Sequence, residues 1–205
     1  MKNVCFFAIA LFATPLSASV AFDFYIGKLT DKDGAFLPEG GLVQIIGVAV
    51  GASGFSSPTA ESFLGENEFL LASFDVNLDQ GGGEPGSVIY SLSTINLAGP
   101  IQSGAALTLR WWPTLTLSSV APGEGTFYGE GNPLYLTGYG SFSDWAIPTD
   151  GQMINLSYMT ESLGGNVTLD AATASYQVIP EPSTYALGGS MLLGALIAIR
   201  RRRRQ

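Results

Sequence analysis

The chain has 205 residues, no histidine, one cysteine, and 17 acidic against nine basic residues. The lack of histidine excludes Ser-His-Asp triads, histidine metal centres and the commonest general base. Between residues 22 and 179 there are 16 acidic side chains and three bases (Lys28, Lys32 and Arg110), a net charge of −13 that disfavours a nucleic-acid partner.

Lys2, the apolar run Val4–Ala13 and the small-x-small triplet Ser19-Val20-Ala21 read as a secretory signal peptide, residues 1–21, cleaved between Ala21 and Phe22. The run is too short to span a bilayer. Cys5 lies inside it, so the expected mature chain has no thiolate and no disulfide and is held together by its core alone.

Residues 22–179 suffice for one domain with a sizeable core. The segments Phe22–Leu29, Leu42–Val50, Phe69–Leu78, Val88–Ile95 and Ala172–Ile179 read as strands. Leu107, Leu109, Trp111, Leu115 and Leu117 alternate with Thr108, Arg110, Trp112, Thr114 and Thr116. Pro113 interrupts that alternation, which predicts an edge strand or a bulge. Ser157–Leu163 is the one short helix expected in the body. Turn clusters such as Asp31-Lys32-Asp33-Gly34 and Ala121-Pro122-Gly123-Glu124-Gly125 separate the strands. Many short strands punctuated by glycine and proline predict an all-β fold, a single antiparallel β-sandwich of jelly-roll or immunoglobulin-like type.

No motif in the body points to catalysis. Neither Lys28 nor Lys32 sits where it would activate a serine, which leaves acid–base work to carboxylates alone, as in glycoside hydrolases. With 16 acids in the body, a pair at a suitable spacing arises by chance and carries no weight. No catalytic residue, metal site or cofactor is assigned. Asp75-Val76-Asn77-Leu78-Asp79 opens like an EF-hand loop, but Gln80 and Gly86 stand where glycine and glutamate are required. Asp31, Asp33 and Gly34 also resemble a calcium loop, and a hairpin turn accounts for them more simply.

Aromatic residues crowd positions 111–145: Trp111, Trp112, Phe127, Tyr128, Tyr135, Tyr139, Phe142 and Trp145. Flat rings beside carboxylates and amides suit a sugar, whose ring is amphipathic. Trp112, expected to face away from Trp111, and Tyr128 are the residues named for such a contact, against the simpler reading that aromatics build the core.

From Pro180 the chain changes character. Pro180-Glu181-Pro182 forms an extended elbow, Ser183–Ile199 is an uncharged run of 17 residues, and Arg200, Arg201, Arg202, Arg203 and Arg204 follow. Such a run is near the lower limit for a transmembrane helix, and the arginines hold their end in the cytoplasm, leaving the body outside. This tail, residues 180–205, resembles the PEP-CTERM sorting signal of Gram-negative bacteria. The resemblance implies handling by an exosortase-type membrane protease, removal of the helix and arginines, and a habitat of exopolysaccharide and biofilm. It covers the tail alone and transfers nothing to the body. The expectation is an exported, non-catalytic surface or matrix protein. A carbohydrate-binding module and a carboxylate-dependent glycoside hydrolase are the alternatives.

Overall fold

The computed structural model describes residues 19–77, 86–131, 136–137, 145–148, 153–158 and 173–179. Most of the expected signal peptide and the whole of the expected sorting tail, Pro180, Glu181, Pro182 and Arg200–Arg204 included, lie outside these residues. So do Asp79, Tyr135, Tyr139 and Phe142.

Among the described residues there are nine strands: β1 (Ser19–Ile26), β2 (Leu42–Val48), β3 (Glu68–Asp75), β4 (Val88–Asn96), β5 (Ala106–Trp112), β6 (Phe127–Glu130), β7 (Leu136–Thr137), β8 (Met153–Tyr158) and β9 (Tyr176–Gln177). They form a four-stranded sheet, β4-β1-β8-β7, and a five-stranded sheet, β3-β2-β5-β6-β9. Phe22, Phe24 and Leu156 from the first sheet share one core with Val43, Ile45, Leu107, Leu109 and Trp111 from the second. This is an all-β, two-sheet architecture consistent with a β-sandwich.

Alternation explains how each strand meets that core. On β1, Val20, Phe22, Phe24 and Ile26 are buried while Tyr25 is exposed, as a period of two requires. Each large side chain so withdrawn from water contributes about 1.5–3 kcal/mol. Two cross-strand pairs set an aromatic ring over a glycine, Phe69 opposite Gly47 and Trp111 opposite Gly129. A Cβ on Gly129 would lie 2.0 Å from the Trp111 indole, so only glycine lets that ring lie flat against β6.

Three expectations need correction. The β1–β8 pairing is parallel, which makes the first sheet mixed and not purely antiparallel. The two strands lie at opposite ends of the described chain, so no tight hairpin dictates their direction. Pro113 marks neither an edge nor a bulge: β5 lies between β2 and β6 and ends at Trp112. Proline lacks the N–H that a further ladder bond would need. Beyond it the alternation is lost, since Leu115 packs against Trp112's cluster and Leu117 is exposed. The expected helix also gives way at its start, because Ser157 and Tyr158 belong to β8, where they pair with Tyr25 and Ile26. Residues 159–163 lie outside the described residues.

A bulge does occur, in β4. The register moves from Phe22↔Leu92 to Val20↔Ile95, leaving two residues, Ser93 and Thr94, opposite Ala21. Thr94 has φ of 60°, an outlier for a β-branched residue. The expected signal-cleavage bond, Ala21–Phe22, falls within β1, and Val20 is buried in the core. Cleavage there takes Ser19, Val20 and Ala21 off the strand.

Candidate functional site

Trp112 lies on the side of β5 opposite Trp111, as the alternation predicts. Trp111 joins the core between the sheets and donates from Nε1 to the Thr30 carbonyl at 2.9 Å. Trp112 belongs to a separate cluster with Leu42, Tyr128 and Val178 on the outer face of the five-stranded sheet. That face is not open. The connection between β2 and β3, residues 49–67, folds across it and brings Ala60 and Phe63 onto Trp112. Phe63 meets the Trp112 ring edge-on at 5.3 Å, and Tyr128 lies against it at 5.1 Å. The indole N–H is satisfied by Gln44 Oε1 at 2.9 Å.

The exposed sugar platform expected at Trp112 and Tyr128 is therefore absent. Trp112 is 0% exposed and Tyr128 3% exposed. The direction was legible, but the covering loop was not. Tyr176 of β9 stacks on Tyr128 at 5.4 Å and is the ring of this column that reaches solvent.

An ion cluster fastens the covering loop. Arg110, fully buried, reaches Glu68 at 3.1 Å and Glu130 at 2.8 Å. It also donates to the carbonyls of Phe63 and Ser56 in the loop, at 2.8 and 2.9 Å. Glu68 in turn accepts from the loop amides of Ser56 and Gly65, both at 2.7 Å. The buried charges of Arg110 and Glu68 are thus paired and their polar atoms all engaged, the condition under which a buried ion pair is tolerated, while Glu130 keeps partial access to solvent. Burial alone lowers the pKa of Arg110, but Glu130 and Glu68 outweigh it and raise it above the ordinary value, so the guanidinium stays charged. Arg110 also lies over the Tyr128 ring at 5.5 Å. Burial raises the Tyr128 pKa above the usual tyrosine value, opposed by a hydrogen bond from Ser57 and by the charge of Arg110.

Glu68 and Glu130 are the two acids this cluster brings together, and both face one arginine. Sequence reasoning missed them because they could not be told apart among 16 carboxylates. Arg110 itself left a signal, as the body's single arginine on a strand of otherwise apolar and hydroxylated residues.

The Asp31 loop is a turn. Asp31 Oδ1 accepts the amides of Asp33 and Ala35 at 2.8 and 2.9 Å, and Gly34 takes φ of 83°. Among the described residues no three acidic side chains converge as a metal site would require. Beside this turn runs a groove of about 520 Å³ whose walls include Lys32, Asp33, Pro38, Pro113, Glu124 and Phe127. Lys32 pairs with Asp33 at 2.6 Å and lies over the Phe127 ring at 5.8 Å. The groove thus combines one ring, two prolines and four ionic residues, Asp31 being the fourth.

No protein-family model, curated protein or solved structure matches this chain. The reading of function rests on its own residues.

Proposed function

We propose that this chain is an exported, non-catalytic protein of the cell surface or extracellular matrix, a β-sandwich of jelly-roll or immunoglobulin-like type between a signal peptide and a C-terminal membrane helix. The tail beginning at Pro180-Glu181-Pro182 is the sorting signal, an exosortase-type protease its partner, and Arg200–Arg204 the charges that fix its topology. Exopolysaccharide is the surrounding material.

The observation that carries the non-catalytic reading is the Arg110 cluster. The charges and rings that would first be enlisted for chemistry or for sugar stacking, Glu68, Glu130, Trp112 and Tyr128, are spent on one another and on the loop that covers them. Such an arrangement supports a body built for stability at the surface.

A second reading is favoured by one specific observation. The groove beside Phe127 offers a ring, apolar proline walls and the carboxylates of Asp33 and Glu124, a set that suits a neutral saccharide. In this reading the protein is a carbohydrate-binding module that uses the groove and not Trp112.

Intact-mass spectrometry of the surface-extracted protein tests the sorting reading. The expected mass corresponds to a chain lacking residues 1–21 and the arginine tail. A surface protein that retains Arg200–Arg204 in a cell with an active exosortase contradicts it. A pull-down on the cell's own exopolysaccharide, comparing wild type with Phe127→Ala, separates the second reading from the first.

A further inference from the structure

Strand β4 is the outermost strand of its sheet, and among the described residues no backbone group bonds to its outer edge. An exposed edge is a row of unpaired N–H and C=O groups, and proteins usually protect it with charge, proline or short length. Among the described residues the other edges carry one or another of these features: β3 ends with the exposed Asp75, and β7 and β9 have two described residues each. Strand β4 has nine residues, Val-Ile-Tyr-Ser-Leu-Ser-Thr-Ile-Asn, with no charge and no proline. Its single irregularity, the bulge at Ser93 and Thr94, leaves Val88–Leu92 straight and in unbroken register with Phe22–Ile26.

The surroundings of that edge fit a copy of the same chain. The body carries a net charge of −13, so two copies repel wherever acidic surfaces meet. Residues 85–123 contain no Asp or Glu, and their one charge, Arg110, is buried and paired. On the outer face Ile89 is exposed beside its cross-strand partner Tyr25. The edge strand therefore offers backbone hydrogen bonds and apolar contact with no charge of its own; Asp23, opposite Ser91, lies one strand further in, on β1.

We propose that β4 pairs with β4 of a second copy, antiparallel about a two-fold axis at Tyr90, so that two four-stranded sheets join into one. The pairing is isologous, with Ile89 of each copy facing Ser91 of the other and Val88 facing Leu92. It stands apart from the sorting reading, since failure of export or processing leaves it untouched.

Disulfide trapping in the purified full-length chain tests this, with Cys5→Ser removing the native thiol. Ile89→Cys and Ser91→Cys chains carrying different tags are mixed in detergent solution and oxidised. The expected yield of mixed disulfide is roughly tenfold above that of a mixture of two differently tagged Leu70→Cys chains, Leu70 being an exposed residue of β3. Excess chain without cysteine is expected to compete the product away, whereas excess Ile89→Lys chain is not. A yield equal to the Leu70→Cys mixture, or equal competition by both chains, overturns the proposal. Either result would assign the edge to a different partner or to none.

Discussion

The outer face of the five-stranded sheet carries Trp112, Tyr128, Arg110 and Glu68, whose side chains are withdrawn from water, whereas that of the four-stranded sheet carries Tyr25, Ile89 and Met153, which are exposed. Both faces arise from the same alternation along their strands. What separates them is the connection at 49–67, which lies across the first and brings Phe63 and the carbonyl of Ser56 onto it. Periodicity assigns a side chain to a face. Whether that face becomes interior depends on a loop far away in sequence.

The difference predicts opposite responses to substitution. The largest effect is expected at Trp112. Trp112→Ala should cost about 3–5 kcal/mol, as for a large core residue, and Trp111→Ala a similar amount. Equal losses in denaturant unfolding support two cores, one on either side of β5. A loss at Trp112 within the range of ordinary surface changes would break the comparison.

Next is the clamp. Arg110→Met leaves Glu68 buried without its counter-charge and should cost about 3–5 kcal/mol. Adding Glu68→Leu removes the stranded carboxylate and should recover a substantial part of that loss. A double variant no more stable than the single one would show that the arginine matters for its packing and not for its charge.

Tyr128 gives a smaller effect with a pH signature. Tyr128→Phe should cost about 0.5–1.5 kcal/mol at neutral pH through the lost hydrogen bond to Ser57. Folding raises the Tyr128 pKa, so its contribution is fully present below the unfolded value near 10 and falls away as pH rises through the folded value. Wild type should therefore lose stability more steeply than Tyr128→Phe in that alkaline window, as followed by thermal melts at stepped pH. Parallel slopes would contradict the buried position of the hydroxyl. The smallest effects belong to the open face, where Met153→Lys should stay within about 0.5 kcal/mol of wild type.

Much of the fold was legible in the sequence. Phe22 and Phe24 alternate with less buried neighbours, Leu107, Leu109 and Trp111 share the inner face of β5 as their spacing predicts, and β2, β3 and β4 begin within a residue of the expected positions. The strand β6 was hidden because Phe127-Tyr128-Gly129-Glu130 is short, and its glycine looks like a turn signal. That glycine is instead the seat of the Trp111 ring. The parallel course of β8 beside β1 was not readable, since register between distant segments is a property of the assembled sheet. For the candidate site, the direction of Trp112 could be read. Its cover could not, because the loop at 49–67 has no periodicity, and the reason it lies there is a buried contact between Arg110 and Glu68.

Hydroxyl-radical footprinting of the folded chain, read at Trp112, Tyr25 and Met153 and normalised to the unfolded chain, tests the difference between the two faces most directly. Trp112 is expected to be strongly protected while Tyr25 and Met153 are oxidised nearly as fast as in the unfolded chain. Oxidation of Trp112 at a rate comparable to that of Met153 would contradict the covered face and reopen the indole as a surface contact.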